Sequence, residues 1–444
     1  MKTTKLFFMA ALALMTAACS NDDNDLTQQP AKAEGIPFTA TISISQSATT
    51  RALTENGTTI EATWADGEKV ALIYTVSATT YLKEAEVTPQ GDGTATISTT
   101  LEGSPADDTD VTIVYPASAV DGTTKDVKTD LLASQNGLLT GIGSIAEKYE
   151  LRKTTTPAKL KIDGTTASLK GTVSLNNQNA IFKLTLKDID GTSDVSATSV
   201  VISDQTGVVT TVTPASGYEN AMYVALPTTA TTLKFLVTGS DSKKYFNMAS
   251  SLTLGANYYQ STVKLATVGD VILSTGKCAK AGTSGAVAKI CYLGDETGES
   301  AYNYTNGLAL ALSDANSGST CKWKTSNDDA GHTKQTSSTF TEESGLQYND
   351  ATHNSDTYPA FKAAIANNGT AAPTSCSDWF LASGYQWQKM IDAAGLSNLG
   401  LQANSYWSST ENNADRAWNF NSSNGKWDFP KKDKDRLVRS CLAF

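Results

Sequence analysis

The chain has 444 residues and a formal net charge of -10, longer than one core usually organises, so two or three independently folding units are expected. Its acidic balance argues against nucleic acid or an anionic membrane surface as partner, since either requires a concentrated cationic face. Thr, Ser, Ala and Gly dominate the first two thirds, a composition suited to exported β-proteins whose strands turn Thr outward and Val, Ile or Leu inward.

Lys2 and Lys5 precede an apolar run from Leu6 to Met15, followed by Thr16, Ala17, Ala18 and Cys19. A membrane-spanning helix needs about 20 apolar residues. This run is shorter and ends in small residues, the pattern of a cleavable export signal. The residues before Cys19 resemble a lipobox, although Thr16 stands where Leu is usual; the resemblance implies acylation of Cys19 and a lipid anchor. Ser20 to Asp23 resembles the acidic signal that sends lipoproteins to the outer face of the outer membrane. Residues 1–19 are therefore read as the signal and 20–34 as a tether.

Between Phe38 and Leu265 the repeating signal is period two, which places alternate side chains on one sheet face. It appears in Phe38, Ala40, Ile42 and Ile44, in Ala95, Ile97, Thr99 and Leu101, in Phe182, Leu184 and Leu186, and in Leu233, Phe235 and Val237. Asp-Gly pairs at 66–67, 92–93, 163–164 and 190–191 supply the positive backbone angle of tight turns. This alternation separates the composition from disorder and predicts antiparallel sandwiches at 35–174 and 175–267.

Several strings in this region are similar to fimbrillin-type pilins, the type V pilus subunits. They are FTATISIS, TTRALTENG and ATWADGEKVALIY, with Trp64, Asp66, Gly67 and Glu68 at their centre, then QNGLLTGIG, NQNAIFKLTLKDIDG and LTLGANYYQSTVKL. The resemblance covers about residues 36 to 267 and implies two tandem transthyretin-like β-sandwiches that polymerise with other pilin subunits by strand exchange. An incoming strand would satisfy the backbone groups left by a missing one. The resemblance also implies that an arginine-specific protease cuts after Arg51, freeing Phe38 to Ser45. The alternative is that Arg51 is a solvated loop residue and the strand stays in place.

After Thr267 the composition changes. Six of the seven Trp, both His and every Cys except Cys19 lie there, marking a separate unit at 268–444. Strands are expected at 269–273 and 288–295. Leu308, Ala311, Leu312 and Ala315 share one helical face within 304–315, and 325–356 reads as a surface loop region carrying His332 and His353. A helix is expected from Tyr358 toward Asn367. Another opens at Ser383 with a capping box to Gln386 and a stripe of Trp387, Met390, Ile391 and Ala394.

The strings SCSDWFLASGYQWQKMI, YWSSTE and VRSCLAF are similar to bacterial C-type-lectin-like domains, an α+β fold. Ala382 and Gln386 depart from the Pro and Glu usual in that pattern. The resemblance implies a disulfide between Cys376 and Cys441. Cys278, Cys291 and Cys321 then allow one more bridge and one free thiol; spacing cannot choose among the three pairings, with Cys278–Cys291 favoured. No C-x2-C pair or clustered His suggests a metal, and no catalytic motif suggests an enzyme or a cofactor. A formylglycine-generating oxidase would need a close reactive cysteine pair, and only Cys441 stands near that position.

The calcium-ligating strings of C-type lectins are missing, which disfavours a calcium-bridged sugar and leaves direct contact open. Candidate ligand-binding residues are Asn412, Asn413, Trp427 and Asp428, a stacking aromatic among amides and carboxylates. Trp407 and Trp418 read as core, and Lys431 to Arg436 as a solvated turn. The combined expectation is a surface-anchored outer-membrane lipoprotein of the fimbrium, a pilus tip subunit whose C-terminal module adheres to a glycan or protein. The alternative is a glycan-binding lipoprotein that never polymerises.

Overall fold

The computed structural model describes residues 35–44, 54–56, 59–61, 63–91, 93–204, 206–230, 232–249 and 253–444. The predicted sites at Cys19 and Arg51 lie outside them. The fold is mainly β, with regular helix confined to short segments.

The first core is enclosed by β1 (Ile36–Ile44), β2 (Lys69–Val76), β3 (Thr79–Pro89), β4 (Thr94–Leu101), β5 (Asp110–Tyr115), β6 (Ala158–Asp163), β7 (Thr166–Leu169) and β8 (Val173–Asn177). The order runs β6, β7, β1, β8, the short pair Arg152–Lys153, then β5, β2, β3 and β4. Additional β1–β4 and β6–β5 pairings close the sheet on itself. The predicted alternation is realised: Phe38, Ala40, Ile42, Ala95, Ile97 and Leu101 all enter this core. Each large aliphatic or aromatic side chain so buried contributes about 1.5–3 kcal/mol. Trp64 sits in the same core, edge-on to Tyr115 at 5.4 Å. The Tyr115 hydroxyl donates to Glu68 at 3.0 Å. The TWADGE string thus builds a core corner, with Gly67 at φ +80° completing its turn.

The second core lies between two sheets. One orders β12 (Ala221–Pro227), β9 (Asn179–Asp188) and β15 (Tyr258–Leu265); the other orders β14 (Lys244–Ala249), β13 (Leu233–Gly239), β10 (Ala197–Asp204) and β11 (Gly207–Val212). The boundary with the first core is less clean than the sequence suggests. Ser134–Gln135 adds a short strand beside β11, and Leu139, Ile145, Ala146 and Tyr149 pack on Ile181, Tyr223 and Ala225 of the second unit.

The C-terminal unit has a six-stranded sheet ordered β17 (Cys278–Ala279), β16 (Val271–Leu273), β18 (Ala286–Leu293), β19 (Gly307–Ala311), β24 (Ser440–Ala443) and β20 (Phe380–Leu381). Against it lie α1 (Pro359–Ala366), α2 (Gly384–Ala394) and a three-stranded sheet of β21 (Ser405–Asn413), β22 (Arg416–Asn421) and β23 (Lys426–Asp428). Both helices agree with expectation, including the reciprocal Ser383–Gln386 capping box. The helix expected at 304–315 is instead strand β19. All five of its residues are buried, and a short run covered on both faces carries no alternation to distinguish strand from helix. Leu236, Phe246 and Met248 of the second unit join Ile272, Trp379 and Phe444 in one core, with the Phe246 and Phe444 rings 4.6 Å apart.

Candidate functional site

Two places could act on partners: the β1 strand in its groove, and the aromatic rim of the C-terminal unit. Strand β1 pairs antiparallel with β4 through eight residue pairs, Ile36↔Leu101 to Ser43↔Thr94. Its other edge is held in pieces, by β7 at Phe38 and by β8 at Ile42 to Ile44, both parallel. Phe38, Ala40 and Ile42 are the side chains that fill the groove. Withdrawing β1 would strip the β4 ladder and expose Ala95, Ile97, Ala167 and Leu175 together. Such a gap presents both unpaired backbone groups and alternate apolar pockets, the two features a replacement strand needs.

In the C-terminal unit the YWSSTE string is internal wiring. Tyr406 donates to Asp314 at 3.1 Å, the Trp407 indole to the Cys321 carbonyl at 2.9 Å, and Ser408 to the Trp418 carbonyl at 2.9 Å. Thr410 donates to Glu343. Glu411 is fully buried against Lys432, whose ammonium also donates to the carbonyls of Asp328 at 2.8 Å and Ala414 at 2.7 Å and lies over the Trp323 ring. The basic run is therefore not a solvated turn throughout. Lys432 turns inward to these acceptors, while Lys431 and Lys434 stay exposed. Arg439 likewise pairs with buried Asp314 at 2.6 Å.

The structure divides the proposed ligand residues. Asn412 is buried, its amide directed at the Gln335 carbonyl 3.4 Å away, so it offers nothing to a ligand. Asn413 caps the hairpin turn by accepting from Asp415 at 3.1 Å. Trp427 is half-buried: its indole donates to Gln388 at 3.2 Å, and its ring meets Phe340 at 4.5 Å and Phe420 at 5.6 Å. Asp428 and Phe429 are exposed beside it, and Arg416 lies over the Phe429 ring at 6.0 Å. Phe340, Trp427, Asp428, Phe429 and Arg416 thus make one amphipathic rim. Phe340 escaped sequence reading because it sits in a stretch with no periodicity.

No family model matches the chain, and no curated protein matches it. Among solved structures it is similar to a fimbrial protein from Bacteroides ovatus at 13% identity and TM-score 0.32, covering 93% of this chain and 99% of that one. It is also similar to a candidate cell adhesion protein from Bacteroides uniformis at 15% identity and TM-score 0.29, covering 53% of this chain and 94% of that one. At such scores the likeness does not establish a shared fold.

The expected Cys376–Cys441 disulfide is not formed, and all five described cysteines are free thiols. Successive side chains of β24 point to opposite sheet faces. Cys441 and Ala443 enter one core while Leu442 and Phe444 enter the other, and Cys376 packs with the latter pair. The same face rule separates Cys278 from Cys291.

The two histidines, expected in a surface loop, are buried instead. His332 Nε2 lies 2.8 Å from His353 Nε2, within an aromatic nest of Trp323, Tyr348, Tyr358 and Phe361. Burial holds His332 down to about 3. Burial pushes Glu343 up to about 7, outweighing hydrogen bonds from Thr410, Tyr348 and Gln335. Glu150 is likewise raised to about 7 by burial, opposed by Arg152, which is paired with it at 2.7 Å between the first two units. Sequence reading found none of these, since their partners are set by strand order. Among the described residues no group of three or more His, Cys, Asp and Glu could hold a metal ion.

Proposed function

We propose that this chain is a cell-surface fimbrial subunit, anchored through Cys19, that accepts a neighbour's strand in the β1 groove after cleavage at Arg51. Its C-terminal unit binds a glycan or protein ligand through the rim of Trp427, Asp428 and Phe429. The observation that carries the reading is the β1 groove. Nine residues, three of them buried, occupy a slot between β4 on one edge and β7 with β8 on the other, and the segment 45–53, containing Arg51, follows directly. Ser440 to Ala443 is paired on both edges, to β19 and β20. Strand β24 is therefore held within its own sheet and is not open to exchange with a neighbour.

A non-polymerising surface binder is the second reading, favoured by the hold on β1 from both edges. A chain lacking residues 20–51, offered a synthetic peptide of Ile36–Ile44, tests the groove directly. The first reading expects stable one-to-one uptake by the truncated chain and none by the intact one. Equal binding to both, or to neither, removes the argument from the groove.

A further inference from the structure

The face rule that separates Cys376 from Cys441 also places it beside a different thiol. Strand β17 is the edge of the six-stranded sheet, with Cys278 opposite Ile272, and Cys278 packs against the core that contains Cys376. The approach is close. A Cβ placed on Gly276 would lie 3.3 Å from the Ser375 hydroxyl and 3.9 Å from Pro373, so the segments 276–278 and 373–376 run against each other. Cys291 and Cys441 face the opposite side, and Cys321 belongs to a third core.

Lys234 supplies an independent sign that this spot is chemically built. It projects from β13 into the shared interface, 7% exposed, where it is the cross-strand partner of Met248. Its ammonium lies over the Tyr304 ring at 5.4 Å, and the Tyr304 hydroxyl reaches the Cys376 carbonyl at 3.4 Å. Among the described residues Lys234 has no carboxylate partner; burial lowers its ammonium and pushes the neighbouring Cys376 thiol up to about 12, and each charge partly offsets that effect on the other. A buried lysine left without a counter-ion is costly. The thiolate is the reactive form of cysteine, and the Lys234 ammonium is the group placed to lower the cost of forming it at buried Cys376.

We infer that Cys278 and Cys376 form a redox couple that closes to a disulfide, stapling the first hairpin of the C-terminal unit to the segment preceding β20. Cys278 is the more exposed of the two, so it meets the oxidant, a small-molecule or protein disulfide of the exported compartment. Its thiolate attacks one sulfur of that disulfide, giving a mixed disulfide and releasing the other sulfur as thiolate. The Cys376 thiolate then attacks Cys278 Sγ, forming the Cys278–Cys376 bond and expelling the second thiolate. The two cysteine protons pass to the two released sulfurs, so two thiols are oxidised and one disulfide is reduced. The inference rests on the proposed export of the chain for its oxidant. The staple would hold the β16–β17 hairpin against peeling.

The test treats the purified full chain with oxidised glutathione, quenches in acid, alkylates under denaturing conditions without reductant and maps peptides by mass. The expected product is a cross-link of the Cys278 and Cys376 peptides lacking two hydrogens, with Cys291, Cys321 and Cys441 alkylated. Cys278→Ser and Cys376→Ser should each abolish it and leave the remaining partner glutathionylated or alkylated. Lys234→Met should slow closure of the mixed disulfide while leaving the end product the same. Alkylation of both Cys278 and Cys376 after oxidation, or pairing of either with another cysteine, overturns the inference. Because the oxidant is supplied, this outcome is independent of whether the chain is exported.

Discussion

Replacing Lys432 by Met removes the buried cation in direct contact with Glu411 in the C-terminal core. Both side chains are fully buried. Among the described residues Glu411 then keeps the Ala330 amide at 3.0 Å and a distant Lys334 ammonium at 3.8 Å, and its Oε2 already lacks a hydrogen bond. Breaking a buried pair from one side costs about 3–5 kcal/mol, because the other charge stays uncompensated. For a unit of this size each kcal/mol lowers Tm by about 2–4 °C, so the expected fall is roughly 6–20 °C. Tryptophan fluorescence during heating reports it selectively, since six of the seven Trp lie beyond residue 267 and Trp323 touches the pair. The double variant Lys432→Met with Glu411→Leu should recover most of the loss, as apolar replacement of both partners is often neutral. A single-variant loss below about 1 kcal/mol, or a double variant no better than the single, would refute the claim that this motif is a buried ion pair.

Three further outcomes are expected. Phe38→Ala should destabilise the first core by about 3–5 kcal/mol, measured by urea unfolding followed at Trp64, with little change at the C-terminal tryptophans. Ser383→Ala removes the α2 cap that accepts from Gln386 at 3.2 Å and donates to the Glu343 carbonyl at 2.8 Å; a loss of about 1–2 kcal/mol in chemical denaturation is expected. The pH response separates two buried groups. Glu343, raised to about 7, binds its proton more tightly folded than unfolded, so its contribution falls as pH rises from its ordinary value to about 7. His332, lowered to about 3, binds its proton less tightly when folded, so its contribution rises with pH between about 3 and its ordinary value. These slopes oppose each other between the ordinary Glu and His values, and the C-terminal melting temperature should be nearly flat there. Glu343→Gln should uncover a rise of up to about 1.4 kcal/mol per pH unit; an unchanged profile would count against the assignment.

The strands were legible where one face is solvated, because alternation survives in the sequence: Phe38, Ala40 and Ile42 announce β1, and Ala95 and Ile97 announce β4. Strand β19 was hidden by burial on both faces. Helix α2 was readable from its cap and stripe, both local features. The charged and polar interior was not readable. Lys432, Arg439, His332 and Glu343 look like solvated residues in sequence, and their partners lie 21 to 125 positions away for the pairs Lys432–Glu411 and Arg439–Asp314. Cysteine pairing depends on which sheet face each thiol occupies, and that requires the strand order. The YWSSTE string was visible as a marker of the C-terminal unit, yet its role as internal wiring emerged only once Asp314, Glu343 and Lys432 were brought around it.

Limited digestion of the full chain with an arginine-specific protease, followed by hydrogen exchange at β4, tests strand exchange most directly. The account predicts a single early cut after Arg51, loss of protection across Thr94–Leu101 when the severed segment is removed, and restored protection when a donor-strand peptide is added. Resistance at Arg51, or a β4 that stays protected after the cut and ignores the peptide, would contradict it and leave a surface binder that does not polymerise.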